Sequence, residues 1–135
     1  MCKRIILIAA AIAFMAFPTT ALAGHFIGTG NGDIYSGTPN SDWAEGRAGG
    51  DWLLGRAAGD YLFGDSGNDT IEGEDGWDLI YGGANEDELR GGPGDDEIHG
   101  AEDGGARDRL YGGSGVDYCY PGAGDVVVEG CNFIL

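Results

Sequence analysis

Aspartate recurs on a nine-residue clock at Asp33, Asp42, Asp51, Asp60, Asp69, Asp78, Asp87 and Asp96, and resumes after a three-residue slip at Asp108 and Asp117. Two residues after each aspartate come Tyr35, Ala44, Leu53, Leu62, Ile71, Ile80, Leu89, Ile98, Leu110 and Cys119, mostly apolar. Four residues after each stands a glycine, at Gly37, Gly46, Gly55, Gly64, Gly73, Gly82, Gly91, Gly100 and Gly112, with Pro121 in the tenth place. So short a period, repeating turn residues, one carboxylate and one apolar side chain, specifies the stacked turns of a solenoid.

The unit Gly73-Glu74-Asp75-Gly76-Trp77-Asp78-Leu79-Ile80-Tyr81 divides by its chemistry into six turn residues followed by a three-residue strand. Side chains alternate along a strand, so only the eighth position points inward, and only that position needs to be apolar. Two units make a coil of 18 residues. Asp33, Asp51, Asp69, Asp87 and Asp108 then line one edge, and Asp42, Asp60, Asp78, Asp96 and Asp117 the other, at an inter-strand spacing of roughly 4.8 Å.

Stacked carboxylates repel, so each gap between turns attracts a divalent cation. Two carboxylates and the turn carbonyls offer the six to eight oxygens that calcium takes, whereas magnesium demands stricter geometry and keeps its waters. Ten aspartates define at most eight gaps.

The first 23 residues are a separate matter. Lys3 and Arg4, the apolar run from Ile5 to Phe17, and Ala21-Leu22-Ala23 form the three parts of a secretory signal peptide, expected to be cut after Ala23. A 13-residue apolar run falls short of the ~20 residues a membrane helix needs. The remaining 112 residues carry five arginines, no lysine and all 23 acidic residues, a net charge of −18. That charge disfavours nucleic acid and anionic membranes as partners and favours cations. Eight divalent ions would leave −2. Cys119 and Cys131 are an even pair in an oxidising compartment, which predicts a disulfide.

These units resemble the hemolysin-type, or repeats-in-toxin, calcium-binding nonapeptide repeat, with its Gly-Gly-x-Gly-x-Asp-x-apolar-x pattern. The resemblance spans Gly28 to Tyr120 and implies an all-β, right-handed parallel β-roll of about ten repeats. Calcium would lie between turns, held by the ten aspartates and by backbone carbonyls. Residues 24–120 are then the roll and 121–135 a C-terminal cap, with Val126-Val127-Val128 adding a strand over the open end.

Departures from the pattern grade the turns. The second glycine is replaced by Thr29, Thr38, Arg47, Arg56, Asp65 and Glu74, and the fourth-position glycine by Asn31, Asn40, Ala58 and Asn85. Arg47 and Arg56 place positive charge in turns meant for a cation, so gaps touching residues 37–63 are expected to be weak. The gaps Asp69–Asp87 and Asp78–Asp96 are expected to be strong. The insertion within Gly100–Tyr111 is expected to distort the gaps Asp87–Asp108 and Asp96–Asp117.

The functional expectation is a secreted, extracellular, monomeric calcium-binding protein that folds on binding calcium and has no catalytic site, since every turn repeats one carboxylate environment. His25 and His99 are read as isolated surface residues. The alternative is an adhesion or carbohydrate-binding module, in which calcium stiffens the scaffold and an outward strip of Trp43, Trp52, Tyr61 and Trp77 meets a surface glycan or protein.

Overall fold

The computed structural model describes residues 23–100 and 106–135 of the chain. The expected leader lies, apart from Ala23, outside the described residues. Thirteen strands follow one another with no helix among the described residues: β1 His25–Ile27, β2 Ile34–Ser36, β3 Trp43–Glu45, β4 Trp52–Ala57, β5 Tyr61–Ser66, β6 Thr70–Asp75, β7 Leu79–Ala84, β8 Glu88–Pro93, β9 Glu97–His99, β10 Arg109–Ser114, β11 Asp117–Tyr120, β12 Val126–Glu129 and β13 Cys131–Ile134.

Odd strands pair in parallel as a seven-stranded sheet and even strands as a six-stranded sheet. Each strand therefore feeds the opposite sheet and meets its own sheet again one coil later, with Trp52 opposite Thr70 and Ile80 opposite Ile98. This is the expected parallel β-roll. It has about six coils rather than the five that ten repeats make, because β1, β12 and β13 extend the same two sheets at the ends. β12 and β13 join with a register shift, between Leu110 and Tyr111 and between Asp117 and Tyr118 respectively. The segment expected as a cap thus completes a further coil.

Three-residue strands occur at β1, β2, β3 and β9, whereas β4 to β8 and β10 run to six residues. Pairing continues into the turns because turn backbones also stack. Ser66 N–H donates to Arg47 O at 2.8 Å, and Gly49 N–H to Ser66 O at 2.9 Å.

Between the sheets runs a single file of inward side chains, Ala44, Leu53, Leu62, Ile71, Ile80, Leu89, Ile98, Leu110 and Cys119, all fully buried. Phe26 and Tyr35, whose rings stack at 4.8 Å, close one end, and Val127 and Cys131 pack at the other. One apolar side chain per nine residues contributes only about 1.5–3 kcal/mol. The core is thin, and the polar edges decide whether the roll holds.

Candidate metal-binding edges

Each aspartate ends its turn just before a strand, where its backbone and side chain act in opposite directions along the stack. Its N–H donates to Oδ1 of the aspartate one coil on, while its own Oδ1 receives the N–H from the coil before. On one edge Asp33 donates to Asp51 at 2.7 Å, Asp51 to Asp69 at 2.7 Å, Asp69 to Asp87 at 2.8 Å and Asp87 to Asp108 at 2.8 Å. On the other, Asp42 donates to Asp60 at 2.7 Å, Asp60 to Asp78 at 2.9 Å, Asp78 to Asp96 at 3.0 Å and Asp96 to Asp117 at 3.0 Å.

All ten expected residues therefore fall on two ladders. Nine are buried, and Asp33 is half-buried at the start of its edge. The distortion expected at Asp87–Asp108 and Asp96–Asp117 is absent from these bonds. The insertion leaves the strand register of β8 and β10 intact, with Glu88 opposite Arg109.

Both ladders reach beyond the clock. Asp108 N–H donates to Asp125 Oδ1 at 3.0 Å, Asp117 N–H to Asn132 Oδ1 at 2.7 Å, and at the opposite end Gly24 N–H donates to Asp42 Oδ1. Asp125 and Asn132 escape a search at spacing 18 because they stand 17 and 15 residues after their partners. The signal available for Asp125 was local: Asp125-Val126-Val127 repeats the aspartate-x-apolar pattern.

The second carboxylate oxygen faces the glycine five residues earlier. A Cβ on Gly73 would lie 2.1 Å from Asp78 Oδ2 and 2.8 Å from Gly91 O, so glycine there is required by space. Oδ2 of Asp51, Asp60, Asp69, Asp78, Asp96 and Asp117 is buried and makes no hydrogen bond. An anionic oxygen buried without a donor carries its full desolvation penalty. Burial pushes Asp60, Asp69 and Asp96 up to about 6 and Asp78 up to about 7. The ladder N–H partly offsets that rise, and neighbouring charges on the edge add to it. Asp51 and Asp117 are raised for the same leading reason. A cation supplies what these oxygens lack, so the residues fit one. Among the described residues no three His, Cys, Asp or Glu side chains converge on one point, so an ion here would have to draw part of its shell from other oxygens, such as backbone carbonyls.

The first two turns are built differently. Thr29 N–H and its hydroxyl donate to Asp33 Oδ2 at 2.6 and 3.0 Å. Thr38 N–H donates to Asp42 Oδ2, and its hydroxyl to Asp42 Oδ1 at 2.8 Å. From Gly46 onward the second turn position is instead left-handed, at Arg47 (φ 77°), Arg56 (90°), Asp65 (73°), Glu74 (71°), Gly83 (112°), Gly92 (117°) and Gly113 (113°). The fourth position is left-handed too, even at Ala58 (71°) and Asn85 (82°). The turns of Arg47 and Arg56 thus share the backbone of the turn of Gly92, with both arginines exposed.

The aromatic strip takes another form than expected. Residues nine apart lie on opposite sheets, so Trp52 on β4 is separated from Trp43 on β3 and Tyr61 on β5, while Trp77 sits in the turn before Asp78 and meets Tyr61 edge-on at 6.1 Å. The seven-stranded sheet carries a longer ladder, Trp43, Phe63, Tyr81, His99 and Tyr120, with successive rings 5.0, 5.5, 4.2 and 4.3 Å apart. His99 is no isolated surface residue. It is sandwiched between Tyr81 and Tyr120 and held by Glu97 at 2.8 Å. Phe63, Tyr81 and His99 each have a ring neighbour on both sides, which leaves their edges outward.

Cys119 and Cys131 form the expected disulfide, with Cα atoms 5.8 Å apart, joining the last core position of β11 to β13.

A family model described as the RTX calcium-binding nonapeptide repeat, in four copies, matches residues 27–62, 36–71, 54–89, 72–104 and 101–128. Searches of curated protein sequences and of solved structures return no match. The matched segments overlap into one stretch from 27 to 128 that contains all ten clock aspartates and Asp125, with Gly24 and Asn132 at the two ends of the second ladder lying outside it. The chain belongs to the RTX calcium-binding nonapeptide repeat family.

Proposed function

We propose that the chain is an exported, non-catalytic calcium-binding protein whose roll is completed by calcium held between stacked turns. The observation that carries this reading is the row of buried aspartates whose Oδ2 atoms have no donor. Asp51, Asp60, Asp69, Asp78, Asp96 and Asp117, with Asp87 and Asp108 on the same ladders, would hold the ions together with turn carbonyls. Calcium neutralises the edge charge and fills the missing coordination there. Asp33 and Asp42, already bonded to threonines, contribute least.

No pre-formed site exists in an unfolded chain, so ion binding becomes folding free energy. The expected experiment is far-ultraviolet circular dichroism of the exported protein, disordered when stripped of metal at neutral pH and β-rich with calcium at ~10⁻⁴ to 10⁻³ M, the range of extracellular modules. Magnesium at equal concentration should do much less. A stripped protein with full β signal at pH 7.5 refutes coupled folding, and a calorimetric titration without calcium heat refutes the sites themselves.

A further inference from the structure

Gly24 occupies a ladder place without bringing an aspartate to it. It stands 18 residues before Asp42, its N–H donates to Asp42 Oδ1, and its carbonyl accepts Trp43 N–H at 2.9 Å, as a coil's edge residue does. Asp42 is 2% exposed, and its other donors, Thr38 N–H and the Thr38 hydroxyl, are neutral. Tyr35 Oη lies buried in the same corner, against the Asp42 carboxylate, and a Cβ on Gly24 would come within 2.3 Å of it. The first residue after Ala21-Leu22-Ala23 is thus the residue whose nitrogen touches the first carboxylate of this edge, where a Cβ would press on Tyr35 Oη and on Asp42 Oδ1.

We propose that leader removal after Ala23 turns the Gly24 nitrogen into a fixed cation that neutralises Asp42 and closes the N-terminal end of this edge in place of a metal ion. Hydrolysis of the Ala23–Gly24 peptide bond adds one water, leaving the Ala23 carboxylate on the leader and an ammonium on Gly24. The ammonium has three protons where the amide has one. It can keep the bond to Asp42, and a charge-assisted bond is stronger than the neutral one it replaces. The roll then carries its own counter-charge where the stack begins, and calcium where it continues. This inference rests on the export-leader reading.

The test compares the chain 24–135 bearing a free Gly24 amine with the same chain acetylated at Gly24, in calcium. Acetylation keeps one N–H for Asp42 and removes the charge together with the ammonium's two further protons. The free-amine protein should have an unfolding equilibrium constant about fivefold lower by denaturant titration, the usual margin of a charged over a neutral hydrogen bond. Asp42→Asn should erase that difference. A chain extended by one glycine before Gly24, which keeps a charged terminus but displaces it, should behave like the acetylated one, and it serves if Asp42→Asn fails to fold. Equal stabilities of the free and acetylated chains overturn the proposal while leaving the leader reading intact. An exported protein whose mass shows a start other than Gly24 overturns it through the leader reading instead.

Discussion

The turns at residues 28–42 and those at residues 46–96 bury the same residue in the same ladder, yet they complete it by opposite means. In the first two turns a threonine at the second position turns its N–H and hydroxyl onto the carboxylate, and the chain satisfies its own anion. In the later turns that position is left-handed, and Oδ2 of Asp51, Asp60, Asp69, Asp78 and Asp96 is buried without a hydrogen bond. The second and fourth turn positions thereby separate a self-contained turn from one that depends on its surroundings. The contrast predicts a roll whose N-terminal end is indifferent to calcium and whose middle is governed by it.

The largest expected effect is that of pH on metal-free protein. Unfolded aspartates titrate near 3.9, whereas Asp60, Asp69 and Asp96 sit at about 6 and Asp78 at about 7 in the fold. Between those limits the folded state holds more protons than the unfolded one, so stability falls as pH rises. Each two-unit elevation corresponds to about 3 kcal/mol lost by pH 7, so several together are comparable to the whole stability of an ordinary domain, about 5–15 kcal/mol. Metal-free protein prepared by dialysis should show more β signal at pH 5 than at pH 7.5, the lower value chosen to stay above the pI of 4.1. In calcium the order should reverse, because protons compete with the ion for the same oxygens. Equal dichroism of the metal-free protein at both values would show that these carboxylates are not what limits folding.

Next comes Asp78→Ala against Asp42→Ala, judged by the calcium midpoint of folding. Asp78→Ala strands the buried Asp60 N–H, at about 1–3 kcal/mol, and removes a carboxylate common to two gaps. Asp42→Ala also strands donors, those of Gly24 and Thr38, but where the chain itself supplies the partners. The Asp78 change should raise the midpoint several-fold and the Asp42 change much less. Similar shifts would mean that the two kinds of turn are not distinct.

A smaller effect probes the first turns directly. Thr38→Val removes the hydroxyl that donates to Asp42 Oδ1 at 2.8 Å while keeping the backbone N–H and the side-chain volume. The expected loss is about 1.5–3 kcal/mol in calcium-loaded protein, the worth of one hydrogen bond to a charged group. If added calcium restores it fully, an ion has taken the vacated place and the self-satisfied turn is convertible.

What was legible in the chain follows from what each coil enforces anew. Asp69, Ile71 and Gly73 recur because every coil needs the same ladder acceptor, the same inward filler and the same empty space in front of a carboxylate. The missed features are those a nine-residue period hides. Phe63, Tyr81, His99 and Tyr120 stack because they lie about two repeats apart on one sheet, and adjacent repeats put nothing aromatic between them on that face. Asp125 and Asn132 serve the ladder after register shifts at β12 and β13, where spacing no longer reports position. The threonines looked like plain departures from a glycine pattern, since their value lies in a donor, and only the fold shows the acceptor. The arginines looked like errors of charge, although at their positions the backbone stays left-handed and the charge stays outside.

The smallest expected effect tests that last point. Arg56 holds φ 90° with a full side chain, in a turn otherwise like that of Gly92, and left-handed backbone costs a non-glycine residue roughly 1–2 kcal/mol. Glycine removes that penalty but gives up conformational entropy on folding, so the net gain expected from Arg56→Gly in calcium is about 0.5–1 kcal/mol. Removing the positive charge from the turn that ends at Asp60 adds in the same direction by favouring the ion. The matching change Thr38→Gly should do the opposite, because that turn is not left-handed and its side chain is a donor. Denaturant titrations of the two variants therefore ought to move apart, Arg56→Gly upward and Thr38→Gly downward. If both move upward, the first turns are latent copies of the later ones, and the boundary between self-satisfied and calcium-dependent coils lies elsewhere.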